Sequence, residues 1–402
     1  MDIEKYEKKT WSKETTYALG LFKYLTKCLG SWPPDCHKFT SLFIFFTVLL
    51  IQIAMMFTLV IEVCFAYEDN NDKANTMCFI TSATLSITKI LFIRLKSKNM
   101  FKIVNNAVDD WQSVTNYENK KIMKKFAKKA RKILIYQLGF SFITINMMIL
   151  DSLPVSQDNS NLTADSQLLN SFPMKTTYYF GYIELSWYKY TALYFLQIIQ
   201  LIFCAMGNVG NDCYFFGMAM HLCSQFVILR LQTKDFKTEI NKNNNCTNYI
   251  KNFVKKHQQL IDIANCLKES FNFILVVQLA NNAFAILLMG IQMLLNIRSG
   301  DNVTTINAIV IILIVSLQLF LYCHAGEELK YHSESLRTAL FKSPWYNMPN
   351  HNVKNILFIM LRASKAFNLT AGSVYNIDID TFTKIVKGMG SYFSVLQALF
   401  IE

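Results

Sequence analysis

Four stretches of this sequence run for 22 residues or more without a charged side chain: Thr40 to Ile61, Tyr190 to Asn211, Ser270 to Ile297 and Asn302 to Cys323. About 20 apolar residues in a helix cross the hydrocarbon layer of a bilayer, so each stretch is long enough to span. Two weaker runs join them. Ala74 to Ile93 carries Lys89, expected to reach the interface from near its helix end. Ile133 to Leu150 has 18 residues with Asn146 inside. A last uncharged run, Gly388 to Ile401, holds 14 residues, which is short for a crossing. The expected fold is an all-α membrane protein with seven transmembrane helices.

Cytosolic loops of membrane proteins collect lysine and arginine. Residues 1–38 hold seven, 94–132 twelve, 230–268 eight and 330–387 eight, so 35 of the 40 fall in alternate segments. This pattern predicts a cytosolic amino terminus and, after an odd number of crossings, an extracellular carboxy terminus. It also accounts for the net charge of +12, so nucleic-acid binding is not expected. Residues 1–38 are polar and charged throughout, which argues against a cleavable signal. The ten cysteines are scattered singly and imply no disulfide framework. Of four glycosylation sequons, the topology places Asn161 and Asn302 outside, whereas Asn245 and Asn368 should stay bare.

The chain divides into a cytosolic segment (1–38), a six-span ligand-sensing bundle (39–323) with cytosolic helix extensions at 212–268, cytosolic anchor or assembly helices (324–376) and a terminal helix (377–402). The fourth helix, if unbroken over 190–230, is about 60 Å long and projects beyond the membrane. Gly207, Gly210 and Gly217 weaken it. An amphipathic helix is expected over Val353 to Ala371, closed by Gly372 as a C-cap. Such helices suit an assembly platform or a simple membrane-proximal cap. The run from Lys120 to Leu134 aligns Ile122, Phe126, Ala130 and Ile133 on one stripe of a basic helix. It fits an anionic lipid or a calmodulin-like partner, or, as the simpler reading, a lead-in that fixes topology.

No nucleophile, phosphate or metal motif is present, so neither an enzyme nor a cofactor is expected. His324, Glu327, Glu328 and His332 match no compact zinc spacing. Asp212 and His221, on the cytosolic half of the fourth helix, suit polar contacts between helices just below the membrane, or a proton relay. The outer halves of the spans mix apolar walls with sparse polar groups: Ile80, Thr81 and Thr84 on the second, Asn146 and Met147 on the third, Tyr190, Tyr194 and Gln197 on the fourth. That mixture suits a small lipophilic ligand, and equally ordinary bundle packing. On the terminal helix, Gly388, Ser391, Val395, Leu399 and Glu402 share one slim stripe with Ala398 beside it. Tyr392, Phe393, Leu396 and Phe400 form a bulky opposite face. Four copies around an axis would make a pore. Val395 and Leu399 would then form dewetting rings, Ser391 would face a wetter vestibule, and Glu402 would favour cations at the outer mouth.

The motif SYFSVLQALF at 391–400, with LTAGSVYNIDIDTFTKIVK and HAGEELKYHSESLRTALFKSPWY before it, resembles the carboxy-terminal signature of the insect odorant receptor family. The likeness is dense over 323–400 and looser over 176–232. It implies an odorant-gated, non-selective cation channel, a tetramer formed with a shared co-receptor in the plasma membrane of a sensory neuron. It also implies a seventh helix split into cytosolic and pore-lining parts, a gate at Val395 and Leu399, and an outer-leaflet ligand site. The residues named on the second to fourth spans, with Ile143, are that site's candidates. Gln232 to Asn248 is too short for the co-receptor's loop, and Ala398 stands where the co-receptor has glutamine, which favours an odorant-tuning subunit. The alternatives are a gustatory-type channel, from whose ending Ser391, Ala398 and Leu399 depart, and a seven-helix G-protein-coupled receptor, which requires the opposite orientation. A transporter would need mid-membrane charges and repeated halves.

Overall fold

Each uncharged run becomes helix, as a backbone without access to water must bond within itself. The structure is a computed structural model, and it describes residues 11–65, 70–152, 172–174, 176, 187–236 and 246–401. In chain order the helices are α1 (Lys13–Cys28), α2 (Phe39–Phe65), α3 (Asn70–Leu95), α4 (Ser97–Ser113), α5 (Tyr117–Asp151), α6 (Trp187–Ala205) and α7 (Asn211–Gln232). After these come α8 (Cys246–Ser299), α9 (Asn302–Phe341), α10 (Asn350–Ala363) and α11 (Ile379–Ile401). Six helical stretches are long and apolar enough to cross a membrane: Phe39–Phe65, Lys73–Leu95, Tyr117–Leu150, Trp187–Asp235, Thr247–Ser299 and Asn302–Phe341. The last helix, α11, is not one of them.

At 54 and 40 residues, α8 and α9 are about 80 and 60 Å long, twice or more the hydrocarbon thickness. Their extensions gather with α4, α7 and α10 around the largest buried cluster, which includes Trp32, Val104, Trp111, Phe226, Phe271, Leu336 and Ile356. At its centre lies α7, buried without interruption from Asn211 to Phe226. The fourth helix is continuous over its expected length, but it passes from α6 to α7 through one π-helical turn, Met206–Gly210.

The basic helix at the start of α5 turns Ile122, Phe126, Ala130 and Ile133 into this core, so the apolar stripe is already covered by the chain itself. Polar contacts join the same layer. Asp110 of α4 lies 3.2 Å from His221 Nε2 of α7 and accepts from Lys256 Nζ of α8 at 2.6 Å. Burial pushes the Asp110 pKa up, but His221 and Lys256 outweigh it and hold the carboxyl below its ordinary range. A carboxyl depressed in the folded state stabilises fully above its unfolded pKa of about 3.9, and that stability is lost as pH falls through the folded value. Thermal unfolding of the solubilised chain should therefore lose this contribution only in strong acid, and Asp110→Asn should remove it at neutral pH. An equal melting temperature for both chains at neutral pH would contradict the assignment.

The expected helix over 353–371 is corrected. Helix α10 ends at Ala363, and Gly372 instead turns a two-residue hairpin, Thr370–Ala371 against Tyr375–Asn376. Gly372 and Ser373 both have positive φ (60° and 61°), and the Val374 N–H donates to the Ala371 carbonyl at 3.2 Å, a type I′ geometry. A C-cap and this turn both call for glycine at positive φ, so the residue alone does not distinguish them. The hairpin docks on α8, where Asn272 Oδ1 accepts from the Ser373 N–H at 3.1 Å.

Candidate functional site

Between α2, α3, α5 and α6, the helices enclose an apolar cluster. Met55, Leu59, Ala83, Ile145, Leu201 and Cys204 are buried, with Phe79, Ile80, Met148 and Ile149 packed against them. Met174 joins from the segment preceding α6. It is held there by Gln197, whose Oε1 accepts from the Met174 N–H and whose Nε2 donates to Thr176 Oγ1, both at 3.0 Å. Phe172 lies 5.1 Å from the ring of Tyr190, and Tyr194 donates to the Ile149 carbonyl at 3.0 Å. Phe172 to Met174, with Thr176, thus strap one end of the cluster. Its lining is apolar and rich in methionine, which adapts its shape easily.

Tyr190, Tyr194 and Gln197 come together at this strap, and Ile80 packs into the cluster beneath them. Thr81 and Thr84 spend their hydroxyls on the carbonyls of Cys78 and Ile80, both at 2.8 Å, and Thr84 also touches Met56 Sδ at 3.7 Å. The third-span candidates lie apart from this cluster. Ile143 and Met147 face outward, 61% and 59% exposed, and Asn146 shares that face. The Asn146 amide donates to the Phe142 carbonyl at 2.7 Å, so its polarity does not require an inward position. Ile145, Met148 and Ile149 look inward instead. The strap was not foreseen, because residues 172–176 carry no periodic signal. Asn302 is exposed at the start of α9, whereas Asn161 and Glu402 lie outside the described residues.

Below the cluster the second and fourth spans share a polar seam. Asn208 Nδ2 donates to the Ser82 carbonyl at 2.9 Å, Ser86 abuts Gly207, and Lys89 Nζ lies 2.5 Å from Asp212 Oδ1. Tyr322 of α9 donates to the same Asp212 oxygen at 2.5 Å. Lys89 does not reach the interface as expected. It is fully buried at 0% exposure, with Asp212 at 2%, because a counter-charge on the neighbouring helix offers the closer solution. His324 and His332 lie 3.6 and 3.2 Å from Glu328, which also binds Lys129 at 2.8 Å. Among the described residues no cluster suited to a metal occurs.

The terminal helix is held at its start. Asp378 accepts from the Thr381 N–H at 3.0 Å and lies 3.4 Å from Lys330, and Glu327 accepts from the Ile379 N–H at 3.4 Å. Phe320 of α9 contacts Phe382 at 5.4 Å. Farther along, the Phe393 ring occupies the space that a side chain at Gly290 of α8 would need. The faces divide by size: Tyr392, Phe393 and Leu396 are half-buried, while Ser391, Val395 and Ala398 are exposed, Val395 by 58%. The Leu399 side chain lies outside the description, although its backbone is helical.

A family model described as 7tm Odorant receptor matches residues 70–390. Odorant receptor 10 of Aedes albopictus is 25% identical over 214 residues, 53% of this chain and 56% of that protein. The chain therefore spans about half the length of this relative. Odorant receptor 85b of Drosophila melanogaster is 20% identical over 348 residues, covering 84% of this chain and 85% of that one. The solved structure of the insect olfactory receptor OR5 from Machilis hrabei superposes with a TM-score of 0.76 at 13% identity, over 94% of this chain and 97% of that chain. The same receptor in complex with eugenol superposes with a TM-score of 0.68, at 12% identity over 96% and 100% of the two chains.

Proposed function

Because the chain belongs to the 7tm odorant receptor family and is a multi-pass membrane protein, we propose that it is a subunit of an odorant-gated, non-selective cation channel. In this reading a small lipophilic odorant enters the strapped apolar cluster, and α11 lines the pore of a tetramer formed with a shared co-receptor in the plasma membrane of a sensory neuron. The amino terminus is then cytosolic and the end of α11 extracellular. The observation that carries the reading is the asymmetry of α11: its bulky face is anchored on α8, and its small-residue face with Val395 is left open. A helix of this build is tolerable in a membrane when protein covers one side and water or further copies meet the other. The eugenol complex of OR5 supports an odorant of this chemical kind. Eugenol contains no formal charge, as expected for an apolar enclosure with few hydrogen-bonding groups.

Gating requires ligand to bind the open state more tightly than the closed one. Leu399→Ala and Val395→Ala should each weaken the closed constriction, and a bias of about 1.4 kcal/mol raises the unliganded open ratio about tenfold. Patch-clamp recording of resting current in cells lacking G-protein signalling checks this. Unchanged resting conductance in both variants would remove the gate assignment, and odorant responses that vanish without G proteins would favour a coupled receptor.

A further inference from the structure

The first turns of α5 separate their charges in a way that folding does not require. Lys120 is paired with Glu14 at 2.8 Å, Lys129 with Glu328 at 2.8 Å, and the Arg131 guanidinium stacks 4.2 Å over Tyr17. These side chains tie α5 to α1 and α9. Between these flanking groups, Lys121, Lys124, Lys125, Lys128 and Lys132 are exposed on the side turned away from the buried Met123, Ala130 and Leu134. At ~100° per residue they fall within an arc of about 100°. Lys124 comes within 3.9 Å of Glu14, and no ion pair is formed by the other four among the described residues.

The same face continues into the membrane. Tyr136, one turn beyond Lys132, is 71% exposed, and Ile143 and Met147 follow on that side at 61% and 59%. One helix face thus changes from lysine to aromatic to aliphatic in the order of aqueous layer, headgroup and hydrocarbon. With the boundary between Lys132 and Tyr136, Lys124 stands roughly 15 Å or less from the hydrocarbon at ~1.5 Å per residue. The lysines nearest the boundary lie among headgroups, and the farther ones reach only a headgroup that stands above its neighbours.

We propose that the exposed lysine face of α5 is a binding site for anionic phospholipid, with preference for a polyphosphorylated inositol headgroup over a single-charge one. Clusters of four or more lysines beside a membrane helix attract such lipids, at about five-fold in binding per lysine near the surface. An acidic protein segment fits less well, because the apolar stripe that an amphipathic-helix reader would grip is packed into the core. The proposal rests on α5 crossing the membrane with its lysine end on the cytosolic side, where anionic lipid collects, and not on the channel reading.

The test uses the full-length chain in neutral detergent and a fluorescent short-chain phosphatidylinositol bisphosphate, followed by anisotropy. Unlabelled short-chain phosphatidylinositol bisphosphate should compete best, phosphatidylserine more weakly and phosphatidylcholine not at all. Replacing Lys124, Lys125, Lys128 and Lys132 by glutamine should weaken binding at least about a hundredfold. A control of equal charge, with glutamine at the exposed Lys96, Lys98, Lys251 and Lys255, should bind as the parent does. Equal loss in both variants, or equal competition by phosphatidylcholine, overturns the site. Equal competition by free inositol trisphosphate overturns the membrane as the source of the phosphate. Capture of calcium-loaded calmodulin through these lysines, without lipid binding, overturns it in favour of a protein partner. The readout needs neither odorant nor current, so its failure leaves the channel proposal standing, and the reverse also holds.

Discussion

Replacing Asp212 by alanine should cost the fold about 3–5 kcal/mol, the loss expected when one partner of a buried ion pair is removed and the other remains. Lys89 would be left in a 0% exposed position with no counter-charge, and the Tyr322 hydroxyl would lose its acceptor. Lys89→Met alone should cost less, because the carboxylate it strands keeps the Tyr322 hydrogen bond. The double replacement Lys89→Met with Asp212→Leu should recover much of the Asp212→Ala loss, as apolar pairs of similar volume often match or exceed buried ion pairs. Thermal unfolding in detergent ranks the three variants. If Asp212→Ala melts with the parent, the pair does not hold the second, fourth and sixth spans together.

The second large effect concerns Gly326. A Cβ there would overlap the carbonyl oxygen of Ile377, where the strand leading into α11 lies on α9. A backbone atom cannot swing aside as a side-chain tip can. Gly326→Val should therefore cost about 3 kcal/mol, the upper end for overpacking, by prying the hairpin and the start of α11 away from α9. Limited proteolysis should then cut between Ser364 and Asp378 much faster than in the parent. Gly388→Ala is the matched control, since no atom lies within 4 Å of a Cβ at that position. Equal proteolysis of the two variants would show that Gly326 is not what lets these segments approach.

The six membrane-length helices were legible because a continuous apolar run is a local property, and lipid allows it few conformations. The unequal faces of α11 were legible for the same reason: side-chain size at helical spacing does not depend on distant chain. Lys89 was not. Whether a lone lysine reaches out or pairs depends on Asp212, more than a hundred residues on, and both outcomes satisfy the same local pattern. The side that Asn146 faces was not legible, because an amide on a helix can satisfy itself on the preceding turn. The strap at Phe172 to Thr176 needed Gln197 as a partner, and an irregular segment announces no partner of its own.

The π-helical turn at Met206–Gly210 carries one residue more than an α-helix of the same height would, which offsets everything beyond it by about 100° around the axis. Tyr190 and Gln197 on one side and Asp212 and His221 on the other are thus in different angular phase, and no single helical wheel describes both. Deleting one residue from this stretch would return the rod to a uniform pitch, and whichever half kept its old neighbours, the other would be rotated away from its own.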